Sequence, residues 1–279
     1  MSAWLMAHEP AVRLGLFVGI FATVALWEWA APRRELSLPK GWRWLNNLGL
    51  VVFNTFVLRL LVPTAAVGAA VLAAERGWGV LNTATLPPMV AIPLAILLLD
   101  LAIYLQHVMF HAVPLLWRLH SVHHTDLDYD LTTGARFHPI EIVLSMGIKL
   151  SLVVLIGAAP VAVLLFEVIL AGAALFNHGN IRLPLPVDRV LRWLIVTPDM
   201  HRVHHSVRPA ETNSNFGFNI PWWDRIFGTY QDQPAAGHEA MEIGIEPVRQ
   251  RRIQSLLWML ILPFVGDPGA YAINRRDWK

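Results

Sequence analysis

Cysteine is absent from the 279 residues of the chain. Its absence excludes disulfides, cysteine-ligated zinc and iron–sulfur clusters held by thiolates. The H-E-x-x-H motif of zinc proteases and the Glu-x-x-His motif of soluble di-iron bundles are also missing. Any metal bound by this chain must therefore be held by other nitrogen and oxygen ligands.

Charged residues are scarce as well. They make up 15% of the chain, whereas soluble domains contain about 25%. Hydrophobic residues make up 55%, and the mean hydropathy is +0.48. This composition predicts an all-α integral membrane protein, which we expect to be a single domain over residues 1–279. The net charge of +2 is too small to indicate a nucleic-acid partner.

Several apolar runs approach the roughly 20 residues that a membrane-spanning helix needs. They predict a polytopic helical bundle with three single spans and one helical hairpin, at 12–31, 48–74, 89–106 and 142–176. We expect Pro63 to kink the second span and Pro160 to help turn the hairpin. The last apolar run, 253–265, is shorter and predicts an interfacial helix.

The basic residues predict the orientation of the spans. Four of them follow the first span, namely Arg33, Arg34, Lys40 and Arg43, whereas only Arg76 lies between the second and third spans. Because cytoplasmic loops are enriched in Lys and Arg, we expect the segments 107–141 and 177–252 to form a cytoplasmic histidine-rich cap. The setting we expect is a bacterial inner membrane. Tryptophans beside span ends are expected to anchor at the headgroups: Trp42, Trp44, Trp117, Trp193, Trp222 and Trp223.

Ten of the twelve histidines fall within the middle of the chain. Eight of these form one H-x-x-x-H and two H-x-x-H-H clusters, in which residues three and four apart share a helix face and can aim imidazoles at a common point. A catalytic zinc site needs three protein ligands and a structural site four, so this number predicts two metal ions. The candidate ligands are His107, His111, His120, His123, His124, His138, His178, His201, His204 and His205. His8 and His238 are expected to be surface residues.

Imidazole suits iron, zinc, copper and nickel, so the ligand type alone does not select the metal. A non-catalytic metal-binding or metal-transport membrane protein is one alternative. Transporters, however, place ionisable residues near the bilayer midplane, whereas these histidines lie at or beyond the span ends. Their position favours an enzyme.

The order of these motifs resembles the fatty acid hydroxylase superfamily, and within it the bacterial sterol-desaturase-like proteins. The resemblance covers roughly 97–231, with Arg136-Phe-His-Pro-Ile-Glu between the two H-x-x-H-H motifs and Asn215-Phe-Gly and Trp223-Asp-Arg-Ile-Phe-Gly-Thr-Tyr after them. It implies a membrane di-iron oxygenase in which two iron ions activate O2 as co-substrate. The implied reaction is hydroxylation or desaturation at an unactivated C–H bond of a membrane lipid, such as a sterol-like or fatty acyl chain.

The resemblance also leaves alternatives open. The segment 122–129 resembles the alkylglycerol monooxygenase branch, which implies ether-lipid cleavage as another activity. The family often has a second histidine one turn before His178, but Ala174 occupies that place here. An external electron donor of the ferredoxin, cytochrome b5 or reductase type is expected, because the chain has neither a G-x-G-x-x-G motif nor cysteine.

Charged residues near the motifs are expected to support the centre. Carboxylates that can orient the ring N–H groups of metal ligands are Asp126, Asp128, Asp130, Glu141 and Asp199. Asp224 and Arg225 are expected to have a structural role, through a helix cap and a salt bridge. Arg59 lies within the second apolar run, and a pair with Asp100 or a lipid headgroup contact are both consistent with that position.

Overall fold

The computed structural model describes residues 2–62 and 64–273, and within this range the secondary structure is helical. The α-helices are α1 Ser2–Ala7, α2 Glu9–Ala30, α3 Lys40–Leu61, α4 Ala65–Arg76, α5 Val80–Thr83, α6 Pro88–Ala112, α7 Pro114–His124, α8 Pro139–Ile156, α9 Pro160–Asn177, α10 Leu185–Leu191, α11 Pro198–His204, α12 Pro209–Thr212, α13 Trp222–Ile226, α14 Gly237–Ala240 and α15 Leu256–Val265. Two 3-10 helices cover Thr133–Ala135 and Arg251–Gln254.

The expected all-helical membrane bundle is confirmed. Five helical stretches of the described residues are long and apolar enough to cross a bilayer: Glu9–Ala30, Lys40–Thr83, Pro88–Ala112, Pro139–Ile156 and Pro160–Asn177. The third of them extends past the expected end at residue 106, so that His107 and His111 lie in its last two turns. The expected hairpin is present as α8 and α9, with Gly157 ending α8 in the left-handed conformation at φ 71°.

The second apolar run contains more than one helix. α3 ends at Leu61 and α4 begins at Ala65, and the expected kink at Pro63 lies outside the described residues. A pair between Arg59 and Asp100 does not form. Asp100 instead accepts hydrogen bonds from Asn219 Nδ2 at 2.7 Å and Trp223 Nε1 at 2.8 Å, and Arg59 is exposed.

Two of the apolar clusters are central to the bundle. One lies among α4, α6, α8 and α9, with Leu99, Val163 and Phe166 fully buried in it. The other surrounds Trp117 and Met259, where α15 packs on α7. The helices of the first cluster converge so that the end of α6, the start of α8 and the end of α9 meet at one end of the bundle.

Buried polar contacts join the segments at this end to α2. Glu28 Oε1 accepts hydrogen bonds from the backbone N–H groups of Leu131 and Asn180, at 2.7 and 2.8 Å, and Glu28 Oε2 accepts one from Lys40 Nζ at 2.9 Å. Leu131 and Asn180 belong to the two different halves of the histidine-rich cap. One carboxylate therefore fixes both halves to the same helix.

We predict that Glu28→Ala lowers the stability of the protein by about 2–4 kcal/mol, because two buried N–H groups lose their acceptor. Glu28→Gln should cost less, since its amide oxygen can still accept both bonds. Thermal unfolding in detergent measures both changes, with the exposed Glu75→Ala as a control that should match the wild type. Equal melting temperatures for all four proteins would be inconsistent with this role of Glu28.

Candidate metal centre

Three helices present most of the candidate ligands. His107 and His111 lie four residues apart on α6, and α7 follows after a single linking residue, Val113, with Pro114 in its first turn. α11 begins after Thr197, whose side chain accepts a hydrogen bond from Met200 N at 3.3 Å. The end of α6 and the two shorter helices α7 and α11 direct their histidines toward one another.

The structure brings nine of the ten candidate histidines into two adjacent groups. Within each group, one ring nitrogen of every residue lies within 4.8 Å of the others. The first group contains His107, His111, His120, His124 and His204, and the second contains His123, His178, His201 and His205. All nine side chains are buried.

Each H-x-x-H-H motif divides between the two groups. On α7, His120 and His124 enter the first group and His123 enters the second. On α11 and at its C-cap, His201 and His205 enter the second group and His204 enters the first. Residues four apart share a helix face, whereas adjacent residues point about 100° apart. The expectation that each cluster aims two or three imidazoles at a common point is therefore met by two residues of each cluster, and the third histidine of each H-x-x-H-H motif enters the other group.

The Nε2 atoms face one another at distances suited to a shared cation. The separation is 3.2 Å for His107 to His120 and for each of the three contacts of His178 with His123, His201 and His205. Ligands about 2.1 Å from one ion are separated by about 3.0 Å at a right angle and about 3.4 Å at the tetrahedral angle. One His178 nitrogen cannot share protons with three others, but all four can point lone pairs at one ion.

In five of the nine grouped histidines, the opposite ring nitrogen contacts an acceptor. Nδ1 contacts the backbone oxygen of Phe216 in His107, of Ser214 in His204 and of Ala174 in His178, each at 2.8 Å. The His111 Nδ1 atom contacts Asn213 Oδ1 at 3.1 Å, and the His120 Nδ1 atom contacts Glu141 Oε1 at 2.7 Å. An acceptor at Nδ1 places the proton there and leaves the Nε2 lone pair free for a metal.

Burial also keeps these rings neutral. It lowers the pKa of His120 and of His178 to about 3, and it lowers the pKa of His123, His124 and His201 well below the ordinary value. A neutral imidazole is the form that binds a metal. The Nε2 atoms of His111 and His204 are buried without a hydrogen-bond partner, as expected for atoms that bind a cation.

Aromatic rings pack around the imidazoles. Phe137 stacks on His123 with ring centroids 4.5 Å apart, and Tyr129 stacks on His178 at 5.6 Å. Trp117 lies 4.8 Å from His111 and is 1% exposed. The expectation that Trp117 anchors at the membrane surface is therefore wrong, because its ring is part of the wall around the site.

His138 lies outside both groups. Its Nε2 atom contacts the Leu260 carbonyl oxygen at 3.1 Å, and its Nδ1 atom accepts a hydrogen bond from Ile140 N at 3.2 Å. These contacts make it the N-cap of α8. His8 is exposed as expected, whereas His238 is buried at 5% exposure, 3.6 Å from Asp199, so its expected surface position is wrong.

Of the five carboxylates expected to orient ligands, Glu141 contacts a histidine of the two groups. Asp126 and Asp130 instead pair with the buried Arg43, and Asp128 accepts the backbone N–H groups of Ser37 and Leu38 at 2.8 Å. Asp199 pairs with Arg33 and Arg202. These four aspartates hold segments of the chain in place, and none of the four shows a hydrogen bond to a grouped histidine.

The segment after α11 supplies ring contacts that were missed in the sequence. Ser214 and Phe216 use backbone oxygens, which leave no signal in a residue pattern. Asp224 holds this segment by accepting the backbone N–H groups of Phe216 at 2.7 Å and Gly217 at 2.9 Å. A Cβ atom at Gly217 would lie 2.7 Å from Asp224 Oδ2, which explains the glycine in the Asn215-Phe-Gly motif.

The expected structural role of Asp224 and Arg225 takes a different form. Arg225 places its guanidinium over the rings of Trp193 and Tyr230, at 3.7 and 3.9 Å from their centroids. It also donates to the Arg192 carbonyl oxygen at 3.2 Å. Stacking on aromatic rings replaces the expected salt bridge.

A cavity of about 320 Å³ adjoins the first group. His107, His120 and Glu141 line one end of it, and the apolar side chains of Ile103 and Leu170 line its walls. The cavity lies among α6, α8 and α9, three of the helices long and apolar enough to cross a membrane. A hydrocarbon chain in this space would approach the first histidine group.

Comparisons with known proteins agree with the motif order. The sequence model named Fatty acid hydroxylase matches residues 92–229. The chain is 29% identical over 153 residues to the ornithine lipid hydroxylase of Rhizobium tropici. The aligned region covers 54% of this chain and 44% of that protein. It is 32% identical over 136 residues to the alkylglycerol monooxygenase of Xenopus tropicalis. The aligned region covers 47% of this chain and 28% of that protein.

A third relative is the cholesterol 25-hydroxylase of Homo sapiens, 27% identical over 138 residues that cover 48% of each chain. The chain thus spans less than half the length of these three relatives. No solved structure matches the chain.

We predict that the metal-free protein loses stability as the pH falls below 6.5. The unfolded chain takes up protons at His120 and His178 below their ordinary pKa of 6.5, whereas the folded chain does so only near 3. Each of these histidines therefore costs up to about 1.4 kcal/mol per pH unit within that window. Melting temperatures at pH 7.5, 6.5 and 5.5 test this, and His8→Gln should leave the dependence unchanged. A flat dependence would contradict neutral buried rings.

We predict that Glu141→Ala weakens metal binding at the first group by about tenfold to hundredfold, because the acceptor that fixes the His120 tautomer is lost. Glu141→Gln should weaken it less, since its amide oxygen can still accept from Nδ1. Competition with a chelator measures the affinity, and Glu35→Ala serves as an exposed-carboxylate control. The contact has no influence on the metal if Glu141→Ala matches this control.

Proposed function

We propose that the chain is a membrane di-iron oxygenase acting on a lipid. The proposal starts from its membership of the fatty acid hydroxylase family, whose sequence model matches residues 92–229. The proposed reaction is O2-dependent hydroxylation or desaturation of an unactivated C–H bond. The observation that carries this proposal is the pair of adjacent, buried, all-histidine groups beside an apolar cavity. The expected similarity to sterol-desaturase-like proteins agrees with the relatives that are named lipid and sterol hydroxylases.

The donor set fits two iron ions. Imidazole is a ligand of iron, and five plus four convergent rings suffice for two ions. The unpartnered Nε2 atoms of His111 and His204 fit the same interpretation. Bound iron would supply the activation of O2 for attack on the lipid C–H bond. We propose the nine grouped histidines as ligands and leave His138 out of the set, because both of its ring nitrogens are engaged elsewhere.

The protein residues orient ligands and exclude water. Glu141 fixes the His120 tautomer, and the backbone oxygens of Phe216 and Ser214 fix those of His107 and His204. Phe137 and Trp117 pack against the imidazoles and shield them from solvent. Apolar side chains of the cavity wall, such as Ile103 and Leu170, supply a surface along which a hydrocarbon chain can lie against the first group.

Ether-lipid cleavage is the second candidate. The similarity to alkylglycerol monooxygenase, at 32% identity, favours it. Hydroxylation next to an ether oxygen makes the bond unstable, so the same metal centre would serve either reaction. The difference between the two activities would lie in which lipid the cavity accepts.

We also propose that the histidine end of the bundle faces the cytoplasm of a bacterial inner membrane. The basic residues after the first span lie at this end, where Arg33 contacts Asp199 beside the second group. The proposed electron donor is an external protein of the ferredoxin, cytochrome b5 or reductase type. A site at this face would receive electrons from the cytoplasm and lipid from the bilayer.

We predict that the purified protein binds two iron ions per chain after anaerobic loading. His123→Ala and His204→Ala each remove one proposed ligand and should lower the iron content, whereas His138→Ala should retain both ions. Elemental analysis gives the content, and Mössbauer spectroscopy shows whether the two ions are coupled. Stable zinc occupancy without an oxygen-reactive iron form would favour the metal-binding or transport alternative instead.

The iron-loaded protein should then consume O2 in the presence of a reductant and a lipid. Sterols, fatty acyl lipids and alkylglycerol ethers form the substrate panel, and mass spectrometry identifies the product. Release of an aldehyde from an ether lipid supports the second candidate. The oxygenase proposal fails if coupled iron is present and no member of the panel is oxidised under conditions that reduce the centre.

A further inference from the structure

The cavity beside the first histidine group has a second, charged end. Arg13, Lys149 and Glu167 line it there, on α2, α8 and α9. We propose that these three side chains form a head-group subsite that binds the carboxylate or phosphate of a lipid. The consequence for oxidation, namely which carbon reaches the metal, rests on the proposed function.

A polar stripe on α8 connects the two ends. Glu141, Ser145 and Lys149 all line the cavity and lie four residues apart, so they share one face of the helix. At 1.5 Å per residue, Lys149 lies about 12 Å along the helix from Glu141. Ser145 Oγ accepts a hydrogen bond from Gln106 Nε2 at 2.9 Å, midway between the ends. The metal centre and the charged end are thus separated by a fixed length of rigid helix.

One carboxylate is shared by two cations at the charged end. Glu167 Oε1 accepts a hydrogen bond from Lys149 Nζ at 2.9 Å, and Glu167 Oε2 accepts one from the Arg13 guanidinium. The side chains of Lys149 and Glu167 are only 13% and 10% exposed. Ionisable groups within membrane helices are costly, so a buried cluster of this kind indicates a function.

The cations of this cluster have more N–H donors than Glu167 accepts. An ammonium has three N–H donors and a guanidinium five, whereas Glu167 accepts one hydrogen bond from each cation. Arg13 also contacts Glu9, which does not line the cavity. Glu9 and Glu167 together balance the charges of Arg13 and Lys149, so the cluster is formally neutral. An oxyanion complements the N–H donors that remain unused at the cavity end.

The charged end adjoins the outside of the bundle. A smaller cavity of about 150 Å³ shares Arg13 and Glu167 with the first one and continues along Leu16 and Gly172, between α2 and α9. Arg13 lies at the boundary, with its side chain 30% exposed. A lipid can therefore place its head group here from the side of the bundle, with its chain directed toward the histidines.

The distance between the charged end of the cavity and the metal centre sets which carbon atom of a bound lipid can reach the metal. An extended chain advances by about 1.3 Å per C–C bond, given a bond length near 1.5 Å. A span of about 12 Å along α8 then corresponds to roughly nine carbon atoms between the bound head group and the metal centre. The subsite would select the oxidised position by length rather than by recognition of the reacting carbon.

Binding of hexadecanoate, methyl hexadecanoate and a lysophosphatidate to the iron-free full-length protein in detergent tests the subsite. Lys149→Met should weaken binding of the anionic lipid by about tenfold to hundredfold and leave the methyl ester unchanged. Arg59→Met is the matched control, because Arg59 is an exposed cation on α3 outside the cavity. Arg13→Gln is a second variant that removes a partly exposed side chain and spares the core.

The pattern of affinities decides the outcome. Loss of hexadecanoate binding alone identifies a carboxylate head group, and loss of lysophosphatidate binding alone identifies a phosphate. An equal loss for acid and ester, or no loss with either variant, overturns the subsite and leaves the ion pairs as a link between helices. Because the assay needs no iron, a failed oxygenase proposal would leave its result intact.

Discussion

The packing of nine neutral imidazoles, each with one ring nitrogen within 4.8 Å of the others in its group, is the constraint on which the rest of the structure depends. Without an ion, buried lone pairs 3.2 Å apart gain little from each other. The protein therefore has to fix these rings through contacts at their other ring nitrogen. Carbonyl oxygens at Phe216, Ser214 and Ala174, and the carboxylate of Glu141, do this at Nδ1. Asp224 in turn holds the segment that carries the Phe216 oxygen.

The sequence predicted the helical bundle because long apolar runs have few alternatives in a bilayer. It also predicted that the clustered histidines converge as candidate metal ligands, because residues three and four apart share one helix face. It did not predict how each H-x-x-H-H motif divides, because that depends on how α7 and α11 face each other. His138 was grouped with the ligands from its neighbours in the chain, but its ring caps α8 instead.

Other differences arise where the sequence pattern carries no information on partners. Trp117 has the residue type of a membrane anchor and the position of one, yet it packs against His111. Asp100 has the character of an ion-pair partner for Arg59, yet it accepts two neutral N–H donors. Backbone acceptors such as the Ser214 oxygen have no residue signature at all. Tertiary contacts decided each of these cases.

The division of both motifs between two groups has a consequence for how such a centre arises. Removing α11 and the adjoining His205 would take one ligand from the first group and two from the second, so neither group belongs to one segment of the chain. The centre cannot be assembled by joining two independent one-metal modules. The acquisition of α7, or of α11 with His205, would have added ligands to both groups together.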